Sequence, residues 1–193
     1  MIRALLLTAS LTLAGIAHGA PAPDFSLPGA DGQAHTPADQ RGRYVVLEWL
    51  NHGCPYVRKH YGSGNMQAAQ QRLTGAGAVW WSVVSSAPGK QGHDTPAGHL
   101  ASAQDQGAAP SAILLDEDGA VGKLYGARTT PQMVLIAPDG EVVYRGAIDD
   151  RPTTDPADVP GARNYLLAAF DAAQAGQAPD PAVTQPYGCG VKY

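Results

Sequence analysis

The chain has 193 residues and a formal net charge of −4, with 44% hydrophobic and 16% charged residues. That length and balance suit one packed domain, too short for two ordinary ones and too apolar for a disordered chain. The acidic charge and the lack of a lysine–arginine cluster speak against a nucleic-acid partner.

Arg3, the apolar run Ala4 to Ile16 and the small residues Ala17 and Gly19 read as a secretory signal peptide over 1–19, cut before Ala20. An uncleaved anchor is the alternative. The run is too short to span a bilayer and no second stretch approaches that length, so the mature chain is not expected to span a membrane. Removal takes Arg3 and no acid, which moves the net charge to −5. The expected location is outside the cytoplasm, in the periplasm. An oxidising compartment makes a disulfide between the two cysteines, Cys54 and Cys189, feasible.

Residues 20–176 read as the folded domain and 177–193 as an extended tail carrying Cys189. Pro21 to Pro28 predicts an opening strand with Phe25 and Leu27 on one face, and Asp31-Gly32 a hairpin turn. Residues 36–43 predict a polar connection with a short helical turn. The nearly continuous apolar run 44–50 predicts a strand buried on both faces. A helix opens at Pro55, breaks at Gly62-Ser63-Gly64, and resumes with Asn65 as its cap and Met66, Ala69 and Leu73 on its inner face. A second buried strand follows at 79–84, then a loop at 86–94 and a helix from Thr95 to about Gln106. A short strand is expected at 113–115 and a short helix at 121–125. Residues 132–136 and 141–145 predict a hairpin closed by Pro138-Asp139-Gly140. The final helix is expected over 161–174. Strands alternating with helices and ending in a hairpin predict an α/β fold: a central mixed sheet with helices on both faces.

Cys54 falls at the join between the strand 44–50 and the helix opened by Pro55. First-turn N–H groups and the helix dipole favour a thiolate there, as do His52, Arg58, Lys59 and His60 if they approach it. The competing reading is an inert buried cysteine, with Arg58 and Lys59 only facing solvent.

The element order and Pro23-Asp24-Phe25-Ser26-Leu27, Cys54-Pro55-Tyr56-Val57 and Thr130-Pro131 together resemble the thioredoxin fold. Within it they resemble the redoxin, or peroxiredoxin-like, branch (alkyl hydroperoxide reductase and thiol-specific antioxidant proteins). Lys59-His60-Tyr61, Gly64-Asn65-Met66, the string Gly146 to Asp150 and the string Gly188 to Lys192 resemble an exported subgroup with one active-site cysteine.

The resemblance implies Cys54 as the nucleophile and Pro131 as a cis-proline beside it, with the Thr130 backbone free to pair with an extended thiol substrate. Two departures shape the chemistry. Val57 replaces the second cysteine of Cys-x-x-Cys, and Leu47 and Asn51 replace the proline and the hydroxyl residue of the peroxidatic Pro-x-x-x-Thr/Ser-x-x-Cys motif. Cys189 is then a resolving thiol, a permanent structural staple to Cys54, or a thiol acting across a dimer. Arg128 is a candidate to reach a thiolate or an oxygen substrate, with a surface salt bridge as the alternative. Trp49 is core or a shield over the thiol. Cys-x₅-His from Cys54 to His60 is not a standard ligand spacing, so no metal and no cofactor is expected.

Three functions follow. The first is a thiol–disulfide oxidoreductase acting on a protein thiol or disulfide and recharged by an unidentified reductant. The second is a slow thiol peroxidase taking a small peroxide. The third is a non-catalytic or copper-binding module stapled by Cys54–Cys189.

Overall fold

The computed structural model describes residues 19–193, so the expected signal segment lies outside them except for Gly19. The elements are β1 (Ala20–Pro21), β2 (Leu27–Pro28), β3 (Ala34–His35), β4 (Val45–Trp49), α1 (Pro55–Gly62), α2 (Asn65–Gly75), β5 (Val79–Val84), α3 (Pro96–Asp105), β6 (Ala112–Leu115), α4 (Ala120–Leu124), β7 (Thr129–Thr130), β8 (Gln132–Ile136), β9 (Glu141–Gly146), α5 (Tyr165–Gln174) and β10 (Cys189–Gly190). Six strands form the main sheet in the order β1-β9-β8-β4-β5-β6. β4 pairs parallel with β5 and antiparallel with β8, and β5 pairs parallel with β6. This is the mixed α/β sheet that the alternation of strands and helices predicts.

β4 sits in the middle of the sheet and is buried along its whole length, as a run without polar alternation requires. Its period-two geometry divides the core. Val46 and Leu50 face α1, α2 and α5, in one cluster with Val57, Met66, Leu73, Trp80, Leu135 and Phe170. Val45, Leu47 and Trp49 face the other way, toward Phe25, Trp81, Val121 and Tyr125. Trp49 therefore lies on the opposite side of the sheet from Cys54, which belongs to the first cluster, and donates to Ser85 Oγ at 3.1 Å. It is core, not a shield over the thiol.

Glu48 breaks the apolar pattern. It points into the first layer, fully buried, and accepts from Tyr61 Oη, Trp80 Nε1 at 2.9 Å and Ser82 Oγ at 3.0 Å. Burial holds its carboxyl above the ordinary range, against the pull of those donors.

Several boundaries move for local reasons. Gly64, at φ +75°, is the residue that caps α2, a backbone conformation that suits glycine. Asn65 is already helical, and its amide meets His60 Nδ1 at 2.8 Å. The last helix begins at Tyr165 because Asn164 caps it, accepting from Leu167 N at 2.9 Å. The preceding proline-rich stretch forms a 3-10 turn over Pro156–Gly161, so Ala162 is not on the helix face. β1 adds a short strand at the outer edge of β9.

The tail departs most from expectation. It is extended but docked: Cys189–Gly190 forms a second small sheet with β7, antiparallel, with Cys189 opposite Thr130. Among the described residues, no helix is long and apolar enough to cross a membrane.

Candidate active site

The turn that carries Cys54 is built by Asn51. Its buried side chain accepts from Gly53 N at 2.8 Å and donates to Gln91 O at 3.1 Å, and its carbonyl receives Cys54 N at 2.9 Å. Cys54 itself is the N-cap of α1 in extended conformation, followed by Pro55 at the first helical position. That placement leaves the thiol at the mouth of the first-turn N–H groups, where Pro55 needs no partner.

Thr130–Pro131 is a cis peptide bond, and the Thr130 carbonyl lies 3.1 Å from Cys54 Sγ. The Thr130 edge is not vacant, because Cys189 occupies it. The pairing brings the two cysteines together at one site, and both remain free thiols. Gly188 makes the approach close enough: at φ +137°, a Cβ there would fall 2.1 Å from the Thr130 carbonyl oxygen.

The two sulfurs are unequal. Burial pushes the Cys54 thiol up, but the polar groups that Cys189, the backbone at Val57 and Thr130 set around it outweigh that, leaving Cys54 below its ordinary value. The Thr130 carbonyl suits the protonated thiol and the N–H groups suit the thiolate, so the sulfur is served in both states. Burial and the neighbouring Cys54 push Cys189 up to about 11.

The cations near Cys54 in sequence are engaged by other partners. Arg58 is exposed and its Nε donates to the His52 carbonyl at 3.2 Å. Lys59 is buried, with Nζ 2.7 Å from the Arg151 carbonyl and 3.7 Å from Asp149 Oδ2. Arg128 is also exposed. Its backbone serves the site, receiving Val191 N at 3.1 Å.

Two residues that sequence reasoning gave no role, Tyr187 and Asp149, meet Lys59 and His60 in a cluster beneath the tail. Tyr187 donates to Asp149 Oδ1 and lies 3.1 Å from His60 Nε2. With the tyrosine proton committed to Asp149, the hydrogen-bond network makes His60 Nε2–H the donor and Nδ1 the acceptor from Asn65. Lys59 Nζ stands 5.7 Å from the Tyr187 ring centroid. Burial and the Lys59 charge lower His60 to about 4 against the pull of Asp149. Both His60 nitrogens are taken by hydrogen bonds, which disfavours a ligand role. The signal for this cluster lay in the strings around Lys59, Asn65, Asp149 and Cys189. They are far apart in sequence, and they meet here.

Comparison with known proteins agrees with this architecture. An uncharacterized conserved protein from Geobacillus kaustophilus superposes with a TM-score of 0.77 at 25% identity, covering 93% of this chain and 94% of its own. A hypothetical protein from Sinorhizobium meliloti 1021 gives 0.75 at 26%, covering 93% and 96%. The thioredoxin domain of a thiol-disulfide oxidoreductase from Bacteroides vulgatus gives 0.53 at 18%, covering 76% and 98%, a likeness of fold. Among curated proteins, none matches. The AhpC/TSA family model matches residues 18–145, the stretch that holds Cys54, Thr130 and Pro131. The chain belongs to the AhpC/TSA family, in the redoxin branch of the thioredoxin superfamily.

Proposed function

We propose that this protein is an extracytoplasmic thiol–disulfide oxidoreductase in which Cys54 is the nucleophile and Cys189 the resolving thiol. One observation carries the reading: the tail sets Cys189 opposite Thr130, against a Cys54 sulfur whose ionisation is favoured while its own is suppressed. The Cys54 thiolate attacks one sulfur of a substrate disulfide, forming a mixed disulfide and expelling the other sulfur as a thiolate that takes up a proton. Cys189, losing its proton, then attacks Cys54 Sγ. The Cys54–Cys189 bond forms, the mixed bond breaks, and the second substrate thiol leaves. The substrate disulfide is reduced to two thiols, and an external dithiol reductant must reduce Cys54–Cys189 to close the cycle.

Val57 cannot resolve the mixed disulfide, so the far end of the chain takes that role. A peroxidase reading is disfavoured at Asn51, whose side chain is committed to Gly53 and Gln91. Export rests on the signal segment 1–19, and residues 177–193 act as the tail of the 20–176 domain.

The test is trapping. Cys189→Ser is expected to accumulate a mixed disulfide between Cys54 and a disulfide-bonded protein substrate. Alkylation of Cys54 in that variant, followed against pH, should titrate below the ordinary thiol value of 9.0. No trapped species together with a thiol titrating above that value would sink the reading, and peroxide consumption dependent on Cys54 would replace it with the peroxidase.

A further inference from the structure

The Cys54 side chain is fully buried, so no protein disulfide reaches its sulfur in this arrangement. What covers it is the tail, and the tail is seated in an unusual way. Residue 184 is anchored to the sheet: Thr184 Oγ1 meets Tyr144 Oη at 2.7 Å and Ala147 N at 2.9 Å. Beyond it, Tyr187 sits on Asp149, His60 and Lys59. Cys189–Gly190 pairs with β7, and Lys192 accepts from Ala87 N at 2.9 Å. Tyr193 fills a notch between Gly119 and Gly122, where an added Cβ would fall 2.2 and 2.5 Å from its ring and hydroxyl, and donates to the Ala127 carbonyl at 2.7 Å.

Tyr187 and Cys189 also pack against the core cluster that holds Cys54, and Val191 against the other, yet residues 185–193 are all half-buried or exposed. When such a segment lifts, Asp149, His60 and Lys59 gain water and only the apolar surface under three partly buried side chains is uncovered, so opening is less costly than opening the core. The surface uncovered is a strand edge, the backbone of Arg128 to Thr130, which accepts an extended polypeptide through main-chain hydrogen bonds.

We propose that residues 185–193 are a strap that occupies the docking edge for an extended, cysteine-bearing polypeptide, and that Tyr187 and Tyr193 are the pins that set how often Cys54 is open to it. The inference rests on the reading of Cys54 as the reactive thiol. An intermolecular reaction then proceeds at the intrinsic rate multiplied by the open fraction. Resolution by Cys189 is the strap's return to its seat.

The test is iodoacetamide alkylation of native Cys54 in a Cys189→Ser background. Adding Tyr187→Phe removes the hydroxyl from Asp149 and His60 but keeps the ring, and the rate is expected to rise about tenfold, the worth of one hydrogen bond to a charged group. Tyr193→Ala is expected to raise it several-fold, and both changes together by more than either alone. Val191 amide exchange should speed in parallel while the β4 amides stay protected. A synthetic peptide of residues 187–193 carrying Cys189→Ser should slow alkylation of the doubly unpinned protein.

Unchanged alkylation and unchanged Val191 exchange in the double variant would overturn the strap. Absence of any peptide effect would overturn its polypeptide specificity. Faster alkylation without trapped mixed disulfides would keep the strap and remove the oxidoreductase function. Mixed disulfides trapped at a rate indifferent to both tyrosines would do the reverse.

Discussion

Cys54 and Cys189 sit against one another but belong to regions of opposite character. The Cys54 turn is made by the core: β4 ends under it, Asn51 ties it to Gln91, and α1 begins at the next residue. The Cys189 segment is held by a few hydrogen bonds, aromatic contacts and the partly buried side chains of Tyr187, Cys189 and Val191. A rigid nucleophile and a detachable partner are what a two-step exchange needs, because one sulfur must keep its geometry while the other yields its place. Burial separates the two regions, Cys54 being fully buried and residues 185–193 half-buried or exposed, and the nature of the contacts separates them further.

Cys54→Ser gives the largest expected effect, complete loss of disulfide exchange with an unchanged melting temperature. Measured turnover in that variant would place the chemistry elsewhere. Cys189→Ser should leave the first attack intact, visible as one stoichiometric release of thiol, while multiple turnover falls at least about 100-fold through loss of the intramolecular step. Equal loss of both phases would mean that the tail is needed for structure.

Lys59→Met attacks the seat from below. It leaves the Asp149 carboxylate buried without its cation, and removing one partner of a buried pair costs about 3–5 kcal/mol. Chemical denaturation should show that loss, and a change below about 1 kcal/mol would mean that water reaches Asp149 freely.

Acid should act on the same seat. His60 titrates at about 4 in the fold against 6.5 unperturbed, so the unfolded chain takes the proton first. Its contribution is whole above pH 6.5 and is lost as pH falls toward 4, reaching about 3 kcal/mol. The difference in stability between the wild type and His60→Gln, followed from pH 7 to 4, isolates this slope. A flat difference would show that His60 is solvated in the fold.

The smallest effect is expected from Gly188→Ala. A side chain at φ +137° pressed against the Thr130 carbonyl should loosen the strap and raise Cys54 alkylation a few-fold, with the core melt unmoved.

Much of this was legible along the chain. The runs 44–50 and 79–84 are continuous in apolar character because their strands are covered on both faces, and Pro55 after Cys54 marks a helix start that the structure shows. Local rules handled less well the places where a residue serves a distant partner. Asn65 reads as a cap until His60 claims its amide, and Trp49 reads as core or as a shield over Cys54 until the fold turns it to the other face, as core. Glu48 is hidden in an apolar run because Tyr61, Trp80 and Ser82, which satisfy it, come from two other elements, α1 and β5.

By itself the sequence determined the order of strands and helices, the position of Cys54 on a helix N-terminus and the lack of a second thiol at Val57. Those are matters of periodicity, turn chemistry and residue identity within a few positions. Tertiary structure alone decided that Tyr187 lands on Lys59, Asp149 and His60, and that Cys189 takes the edge of Thr130. Such contacts join residues far apart in the chain. Their stability comes from shared burial and hydrogen bonding, which no local pattern encodes.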